Sequence, residues 1–289
     1  MEISASLVKE LRERTGAGMM DCKAALSEAN GDIEIAIEIM RKSGAAKAAK
    51  KAGRIAAEGI ISIKQKENNV VMLEVNCETD FVAKDDNFLS FAEDIIDVIM
   101  SHDVNDIDNL LKLNVGNQTI EEAMQQLVTK IGEKVTIRRF EKCFIENQTG
   151  IYLHGTRIGV VVETEGGDQE LAKDIAMHIA ASKPLYINEN NVAKEILDKE
   201  REIYMAQAQE SGKPEEIIKK MVDGKIKKYV KEITLLGQPF VKDPDRTIEK
   251  TLKTAEAKVL SFIRYEVGEG IEKRSDNFAE EVMSQAKGN

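Results

Sequence analysis

The segment from residue 77 to residue 88, CETDFVAKDDNF, has the residue types that most resemble a chemical site. Its carboxylates are those of Glu78, Asp80, Asp85 and Asp86. Carboxylates are the hard oxygen ligands that divalent cations prefer, but this spacing lacks the alternation and the central glycine of an EF-hand loop. The pattern favours a solvated acidic loop. A metal-dependent enzyme that uses the carboxylates from Asp80 to Asp86 stays open as one hypothesis.

Histidine is the second residue type that could catalyse a reaction or bind a metal, and the chain contains His102, His154 and His178. None has another His or Cys at metal-ligand spacing, and the G-x-S-x-G and H-E-x-x-H motifs are absent. His178 lies in an apolar helical stripe, which indicates a buried structural role. His154 lies in HGTRIG, between two predicted strands, where a turn can expose it. Both a plain turn residue and a functional residue fit this position.

Glycine-rich stretches give no nucleotide-binding loop. GEGIEK at 268–273 lacks the glycine-to-lysine spacing of a phosphate loop, and GTRIG at 155–159 lacks a third glycine. The sequence therefore predicts no catalytic residue, no metal site, no nucleotide site and no cofactor.

Exposed apolar side chains are the remaining candidates. Phe81 lies in the acidic connector, where local structure cannot cover it, and such an aromatic is typical of a partner-binding anchor. Met19 and Met20 are adjacent at the head of a predicted helix, so both cannot face a small core. Flexible thioethers are common at partner-binding surfaces. These residues predict an interaction protein, although Phe81 could also fold back onto its own domain.

Composition limits the partners and the compartment. The chain has 289 residues and a net charge of −10, which predicts two or three folding units and disfavours direct nucleic-acid binding. No stretch is apolar enough for a membrane span, and the N-terminus resembles neither a signal nor a transit peptide. The three cysteines are widely spaced and odd in number, which favours reduced thiols and a cytoplasmic protein.

Hydrophobic periodicity predicts helices first and mixed structure afterwards. Three short helices occupy residues 4–44, the third ending at Gly44, and a basic, Ala-rich helical linker follows with a solvated face. GIISIK and VVMLEVN form a hairpin around QKENN, and a helix begins at Thr119 with a capping box and ends at Gly132. Further strands are predicted at 134–146, 150–154 and 157–164. Residues 185–235 have the composition of an antiparallel helical hairpin.

Two segments of the chain share one order of elements. VNCETDFVAKDDNFLSFAEDI and VVETEGGDQELAKDI each run from a strand through Glu-Thr and a connector into a helix. The first has about five extra residues, which fall on FVAKD. This similarity indicates two related α+β halves, with a connector in the first that is longer than a turn requires.

The chain resembles the bacterial elongation factor Ts family, in order and over essentially its whole length, through LVKELRERTGAGMMDCKAAL, TDFVAKDDNF, HIAASKP and FIRYEVGEGIEK. The resemblance implies an α+β fold with a three-helix ubiquitin-associated-like module, a core of two related α+β subdomains, an inserted helical hairpin and a C-terminal helix. The corresponding boundaries are 1–55 for the module and linker, 56–184 and 236–267 for the core, 185–235 for the hairpin, and 268–289 for the C-terminal module.

The resemblance also implies a function and its residues. The family exchanges guanine nucleotide on elongation factor Tu, a GTPase of protein synthesis. The matching partner-binding positions are Thr79, Asp80, Phe81 and Val82 in TDFVA, Ile131 and Gly132 in KIGEK, His154 in HGTRIG, and Val8, Leu11, Arg12, Met19 and Met20 in the N-terminal module. Asp80 and Phe81 are implied to push between helices of the Tu nucleotide domain and to displace its magnesium coordination. Ile131, Gly132 and His154 are implied to press on a neighbouring helix and to help flip the phosphate loop.

The main alternative is a ubiquitin-associated-like scaffold that binds a translation or chaperone partner without exchanging nucleotide. Some family members associate through the inserted hairpin. A homodimer is therefore a further possibility, in which Val192, Ile196 and Ile203 form the seam or only hold the hairpin together.

Overall fold

A computed structural model describes residues 3–15, 17–210 and 212–272. The chain divides into two compact units. The first comprises the chain up to Cys143 together with the part from Glu266 onward, and the second is Phe144–Tyr265. The predicted C-terminal helix, in SDNFAEEVMSQA, lies outside the described residues, and the finer domain boundaries given above stay predictions.

Three helices open the first unit: α1 (Ala5–Thr15), α2 (Met19–Glu28) and α3 (Ile33–Lys51). The side chains of Ser4 and Asp32 accept backbone N–H bonds at the starts of α1 and α3 and so cap both helices. The three helices share a small core of Val8, Leu11, Cys22, Ala25, Leu26, Ala29 and Ala36.

The predicted end of the third helix at Gly44 is wrong, because α3 continues to Lys51. Gly44 is buried against α6 (Ile120–Ile131), where an added Cβ would lie 3.3 Å from Thr129 Oγ1. Ala48, one turn further on, packs against the core of the first unit. The small side chains that suggested a linker are therefore those that let α3 and α6 approach closely.

Most basic residues of α3 are exposed, as the sequence predicts, and two of its basic residues form ion pairs with neighbouring helices. Arg41 pairs with Glu122 on α6 at 3.6 Å, and Lys47 pairs with Asp21 on α2 at 2.9 Å. Both pairs are partly exposed, so each contributes only about 0–1 kcal/mol to the contacts of α3 with α2 and α6.

The first unit also contains a three-stranded sheet in the order β1-β2-β5, formed by β1 (Glu58–Lys66), β2 (Asn69–Cys77) and β5 (Thr136–Phe144). β1 and β2 are antiparallel, and Lys66 pairs with Asn69. The hairpin turn is thus only residues 67–68, shorter than the predicted QKENN loop.

Between β2 and β5 the chain forms α4 (Asp86–Ser101), α5 (Ile107–Leu110), β3 (Asn114–Val115), β4 (Gln118–Thr119) and α6. α4 buries an apolar stripe of Phe88, Phe91, Ala92, Ile95 and Ile99. α6 begins with the predicted capping box between Thr119 and Glu122 and ends at Gly132 in the left-handed conformation.

The second unit contains a second three-stranded sheet, in the order β10-β7-β6, formed by β6 (Gln148–His154), β7 (Ile158–Glu165) and β10 (Lys258–Glu266). α7 (Gln169–Ser182) packs against β6 and β7. The chain then continues through α8 (Lys194–Gln209), α9 (Glu215–Ile233), β8 (Pro239–Phe240), β9 (Asp243–Thr247) and α10 (Ile248–Thr254).

α8 and α9 form the predicted helical hairpin, with Ala208, Ile218, Val222, Ile226 and Val230 buried between them. The fold is α+β with helical additions, as the sequence predicts. None of the described helices is both long enough and apolar enough to span a lipid bilayer.

Candidate functional site

The acidic connector, residues 78–85, joins β2 to α4. Residues 82–84 form one turn of 3-10 helix. The amide of Lys84 donates to the Phe81 carbonyl at 3.1 Å, and the amide of Asp85 donates to the Val82 carbonyl at 3.0 Å. The Asp85 carboxylate then caps α4. The connector therefore has a defined backbone, although its sequence predicts neither a strand nor a helix.

Phe81 lies at the outside of this turn and is 81% exposed, as its sequence context predicts. Its neighbours point the other way: Val82 packs against the core of the first unit, and Ala83 is buried. Asp80, beside Phe81, makes an exposed ion pair with Lys84 at 3.1 Å. The turn thus presents one aromatic and one carboxylate to solvent.

Glu133 holds the start of the connector, a role that no local sequence pattern indicates. Its Oε2 accepts the backbone N–H groups of Glu78 at 3.2 Å and Thr79 at 3.0 Å. Its Oε1 accepts the Thr79 hydroxyl at 2.8 Å. A single carboxylate therefore receives three hydrogen bonds from the start of the connector.

Ile131 and Gly132 immediately precede this glutamate. Ile131 packs against the core of the unit, and Gly132 has a φ of 87°, which turns the chain at the end of α6. The Gly132 carbonyl accepts a hydrogen bond from Lys51 Nζ at the end of α3. The structure thus brings together two of the predicted partner-binding segments, 79–82 and 131–132, through Glu133.

The predicted surface of the N-terminal module is partly exposed. Met19 is 62% and Met20 77% exposed, and with Val8 and Arg12 they line an open groove. Lys9 and Lys23 lie at the same groove and make it basic. Leu11, by contrast, is fully buried in the module core, so it supports the surface without lying on it.

His154 belongs to the second unit, where it ends β6 opposite Ile158. Its side chain is exposed, and its Nδ1 lies 3.2 Å from the Tyr152 hydroxyl. An exposed histidine at a hairpin end agrees with its sequence context.

His178 has the predicted structural role. It is fully buried in the second unit, with Nε2 2.9 Å from Gln238 Oε1. The amide of Val241 donates to Nδ1 at 3.3 Å, so Nε2 carries the proton of the neutral ring. Burial lowers the pKa of His178, which keeps the ring neutral.

The remaining reactive groups give no catalytic arrangement in the described part of the chain. No group of three or more His, Cys, Asp or Glu residues there could hold a metal ion. Cys22, Cys77 and Cys143 form no disulfide bond. Burial, with a contribution from the Glu133 carboxylate, raises the pKa of Cys77 to about 12, so this thiol is a poor nucleophile.

Comparison with known proteins agrees with the architecture. The family model described as "Elongation factor TS" matches residues 78–269. The chain is 61% identical to elongation factor Ts of Thioalkalivibrio sulfidiphilus over 292 residues, with all of both chains covered. It is 55% identical to elongation factor Ts of Alkalilimnicola ehrlichii, again over all of both chains. It is 52% identical to elongation factor Ts of Idiomarina loihiensis, over 99% of this chain and 98% of that one. The chain belongs to the elongation factor Ts family.

Proposed function

We propose that the protein is a guanine-nucleotide exchange factor for elongation factor Tu in translation elongation. The observation that carries the proposal is the exposed Phe81 on a turn whose backbone is fixed from beneath. Membership of a family of elongation factors supplies the partner.

The physical basis of exchange is thermodynamic linkage. A protein that binds the empty GTPase more tightly than the nucleotide-bound form must weaken nucleotide binding by the same factor. Burying a Phe side chain contributes roughly 1.5–3 kcal/mol to the binding free energy. Phe81 is exposed, so it loses no contact within its own domain when a partner buries it. Asp80 and Phe81 enter between helices of the Tu nucleotide domain near its magnesium site, and nucleotide affinity falls with the lost coordination.

The other predicted residues extend the contact. Thr79 and Val82 hold the turn, and Ile131 with Gly132 press on the helix beside it. His154, in the second unit, contributes to the displacement of the phosphate loop. The groove around Met19 and Met20 docks on the same nucleotide domain, and its basic residues suit an acidic partner surface.

This activity is binding without covalent chemistry, so it needs neither a catalytic residue nor a cofactor in this chain. A Tu-binding factor acts where translation occurs, in the cytoplasm, and it contacts neither nucleic acid nor a membrane directly. The homodimer through the α8–α9 hairpin stays a prediction. The scaffold without exchange activity is the weaker alternative, because the chain is 52–61% identical over essentially full length to proteins named elongation factor Ts.

The test is the release of fluorescently labelled GDP from elongation factor Tu in the presence of excess unlabelled nucleotide. A substoichiometric amount of the protein should accelerate release and should turn over many Tu molecules. Tight binding to Tu with unchanged GDP release would support the scaffold and contradict the exchange function.

A further inference from the structure

The position of Phe81 depends on backbone contacts, because its own side chain has almost none. It is 81% exposed, so packing does not select the direction in which the ring points. The adjacent ion pair between Asp80 and Lys84 is also exposed, so it contributes little to the position of the turn. What fixes the ring is therefore the anchoring of the turn at its two ends.

The C-terminal end of the connector is anchored locally. Asp85 caps α4, and Ala83 and Phe88 are buried in the core of the unit. The N-terminal end follows the buried Cys77, and the Thr79 carbonyl accepts local hydrogen bonds from Cys77 Sγ at 3.2 Å and the Ala83 amide at 3.3 Å. The Glu78 and Thr79 amides and the Thr79 hydroxyl are held by a residue distant in sequence.

Glu133 is the main anchor of that end. Its carboxylate accepts two consecutive backbone N–H groups and one hydroxyl, at 3.2, 3.0 and 2.8 Å. Hydrogen bonds to an ionised acceptor are stronger than neutral ones. The Thr79 hydroxyl is also 3.4 Å from the Val82 amide, so the carboxylate and the 3-10 turn are linked through one side chain.

The contact is reciprocal. The Glu78 carboxylate accepts the backbone N–H of Lys134 at 2.6 Å, while Glu133 accepts the backbone N–H of Glu78. The two segments therefore exchange side-chain-to-backbone bonds in both directions, as the two residues of a helical capping box do.

The end of α3 completes the arrangement. Lys134 Nζ donates to the carbonyls of Ala52 at 2.7 Å and Arg54 at 2.9 Å, and Arg54 lies 3.3 Å from the Glu78 carboxylate. Together with the bond from Lys51 to the Gly132 carbonyl, these contacts tie the connector to the helix that carries the N-terminal module.

We infer that Glu133 is a positioning residue for exchange: it holds the Asp80–Phe81 turn in the conformation that the GTPase binds. This inference rests on the proposed function. Without the carboxylate the turn samples other conformations, and the apparent affinity for the partner falls in proportion to the competent fraction. Preorganisation of this kind is needed because an exposed aromatic would otherwise lose its freedom on binding.

The test is Glu133→Gln in the full chain, with Glu121→Gln as the matched control. Glutamine keeps the shape, and its one oxygen can still accept both backbone N–H groups, but it faces the Thr79 hydroxyl with an N–H donor, so the hydroxyl can no longer donate there. The negative charge that strengthens all three bonds is lost. Glu121 is exposed on α6, and its substitution removes the same charge. We expect Glu133→Gln to reduce catalysed GDP release roughly 5- to 30-fold, the range that the loss of charge-assisted hydrogen bonds gives. Glu121→Gln should exchange like the wild type.

Two readouts separate positioning from a general loss of structure. Hydrogen exchange of the Glu78 and Thr79 amides, followed by NMR, should accelerate in Glu133→Gln while the amides of β2 keep their wild-type rates. Thr79→Val should also impair GDP release, and Thr79→Ser should restore it, because serine keeps the hydroxyl that Glu133 accepts.

Each outcome is decisive. Wild-type GDP release by Glu133→Gln would overturn the inference, and so would unchanged amide exchange at Glu78 and Thr79. If Glu133→Gln does not fold, equal activity of Thr79→Val and Thr79→Ser would overturn it. If the wild-type protein does not accelerate GDP release, the proposed function fails, and the amide exchange rates still report whether Glu133 holds the turn.

Discussion

Each unit contains a strand that leads into a helix through a connector ending in an aspartate cap, and the two connectors differ in length. In the first unit residues 78–85 join β2 to α4, and in the second residues 166–168 join β7 to α7. The first is five residues longer, as the internal similarity of the sequence predicts. Both end in an aspartate that caps the following helix: Asp85 accepts two backbone N–H groups of α4, and Asp168 accepts one of α7.

The short connector is closed by backbone packing. Gly166 and Gly167 have φ values of 75° and 73°, a conformation that favours glycine. A Cβ at Gly166 would lie 2.2 Å from the Glu256 carbonyl oxygen. No side chain of this connector except the capping aspartate can extend outward.

The long connector uses its extra residues to present a side chain. It turns through 3-10 geometry, buries Ala83 and leaves Phe81 outside. A carboxylate from another segment, Glu133, supplies the rigidity that close packing supplies in the short connector. The same strand-to-helix unit can therefore have two kinds of connector. One is tightly packed and presents no side chain except its capping aspartate, and the other is rigid and presents an exposed aromatic.

Phe81→Ala tests the functional half of this comparison and should have the largest effect on exchange. Central aromatic anchors often cost 2 kcal/mol or more when truncated, which corresponds to about 30-fold slower catalysed GDP release. The melting temperature should hardly change, because Phe81 makes no core contact. Both quantities are measured on the same preparation.

Phe88→Ala is the control for this prediction. Phe88 lies at the base of the same connector and is fully buried, so its truncation should cost about 3–5 kcal/mol of folding free energy. A large drop in melting temperature with normal exchange for Phe81→Ala would contradict the distinction between the two residues.

Much of this comparison could be predicted from the sequence. The apolar stripe of α4 begins at Phe88 and leaves Phe81 outside it, which favours an exposed Phe81. The structure decides against the alternative in which the ring folds back onto its own domain. The role of Glu133 could not be predicted from periodicity. The local pattern in KIGEK indicates only the end of a helix, and Thr79, the partner of Glu133, is distant in the chain. Such a pairing depends on tertiary structure.

Gly44 shows why local signals fail. Glycine is a common helix end, and here it lies inside α3 because the close approach of Thr129 on α6 leaves little room for a side chain. Removal of residues 1–50 would therefore delete almost all of α3 and expose the face of α6 that packs against it. It would also remove the surface around Met19 and Met20.

Gly166→Ala tests the closed half of the comparison. The positive φ and the contact with the Glu256 carbonyl should together destabilise the protein by roughly 2–3 kcal/mol. Urea unfolding measures the change. Gly212→Ala is the control, since Gly212 has a similar φ of 64° and nothing within 4 Å of an added Cβ. Gly212→Ala should cost only about 1–2 kcal/mol of folding free energy. Equal losses for the two variants would show that the contact of Gly166 with Glu256 does not stabilise the short connector.

The paired substitutions Asp85→Ala and Asp168→Ala test the feature that the connectors share. Each removes a helix cap and should cost about 1 kcal/mol of folding free energy. Only Asp85→Ala should also slow exchange, because Asp85 anchors the turn that carries Phe81. If Asp168→Ala loses as much folding free energy as Asp85→Ala and slows exchange equally, the two connectors do not differ in function.

The cap at Asp85 also predicts a pH dependence. Its hydrogen bond with the Asn87 side chain is the main cause that lowers the pKa of Asp85 in the folded protein. A lowered folded pKa stabilises the protein fully above the ordinary value of about 3.9, and this contribution is lost as the pH falls through the folded value. The stability difference between the wild type and Asp85→Ala should therefore shrink between pH 7 and pH 3.

The smallest effect on stability is expected at the ion pair of Asp80 and Lys84. The two side chains are 55% and 75% exposed, and pairs of this kind contribute about 0–1 kcal/mol. Asp80→Ala and Lys84→Ala should therefore both melt close to the wild type. If Asp80 acts only by holding the turn through Lys84, the two variants should slow GDP release equally and slightly. If Asp80 contacts the GTPase itself, as its place beside Phe81 favours, Asp80→Ala should slow release clearly more than Lys84→Ala. Equal rates in the two variants would assign Asp80 to the support of the turn and leave Phe81 as the side chain that the long connector presents.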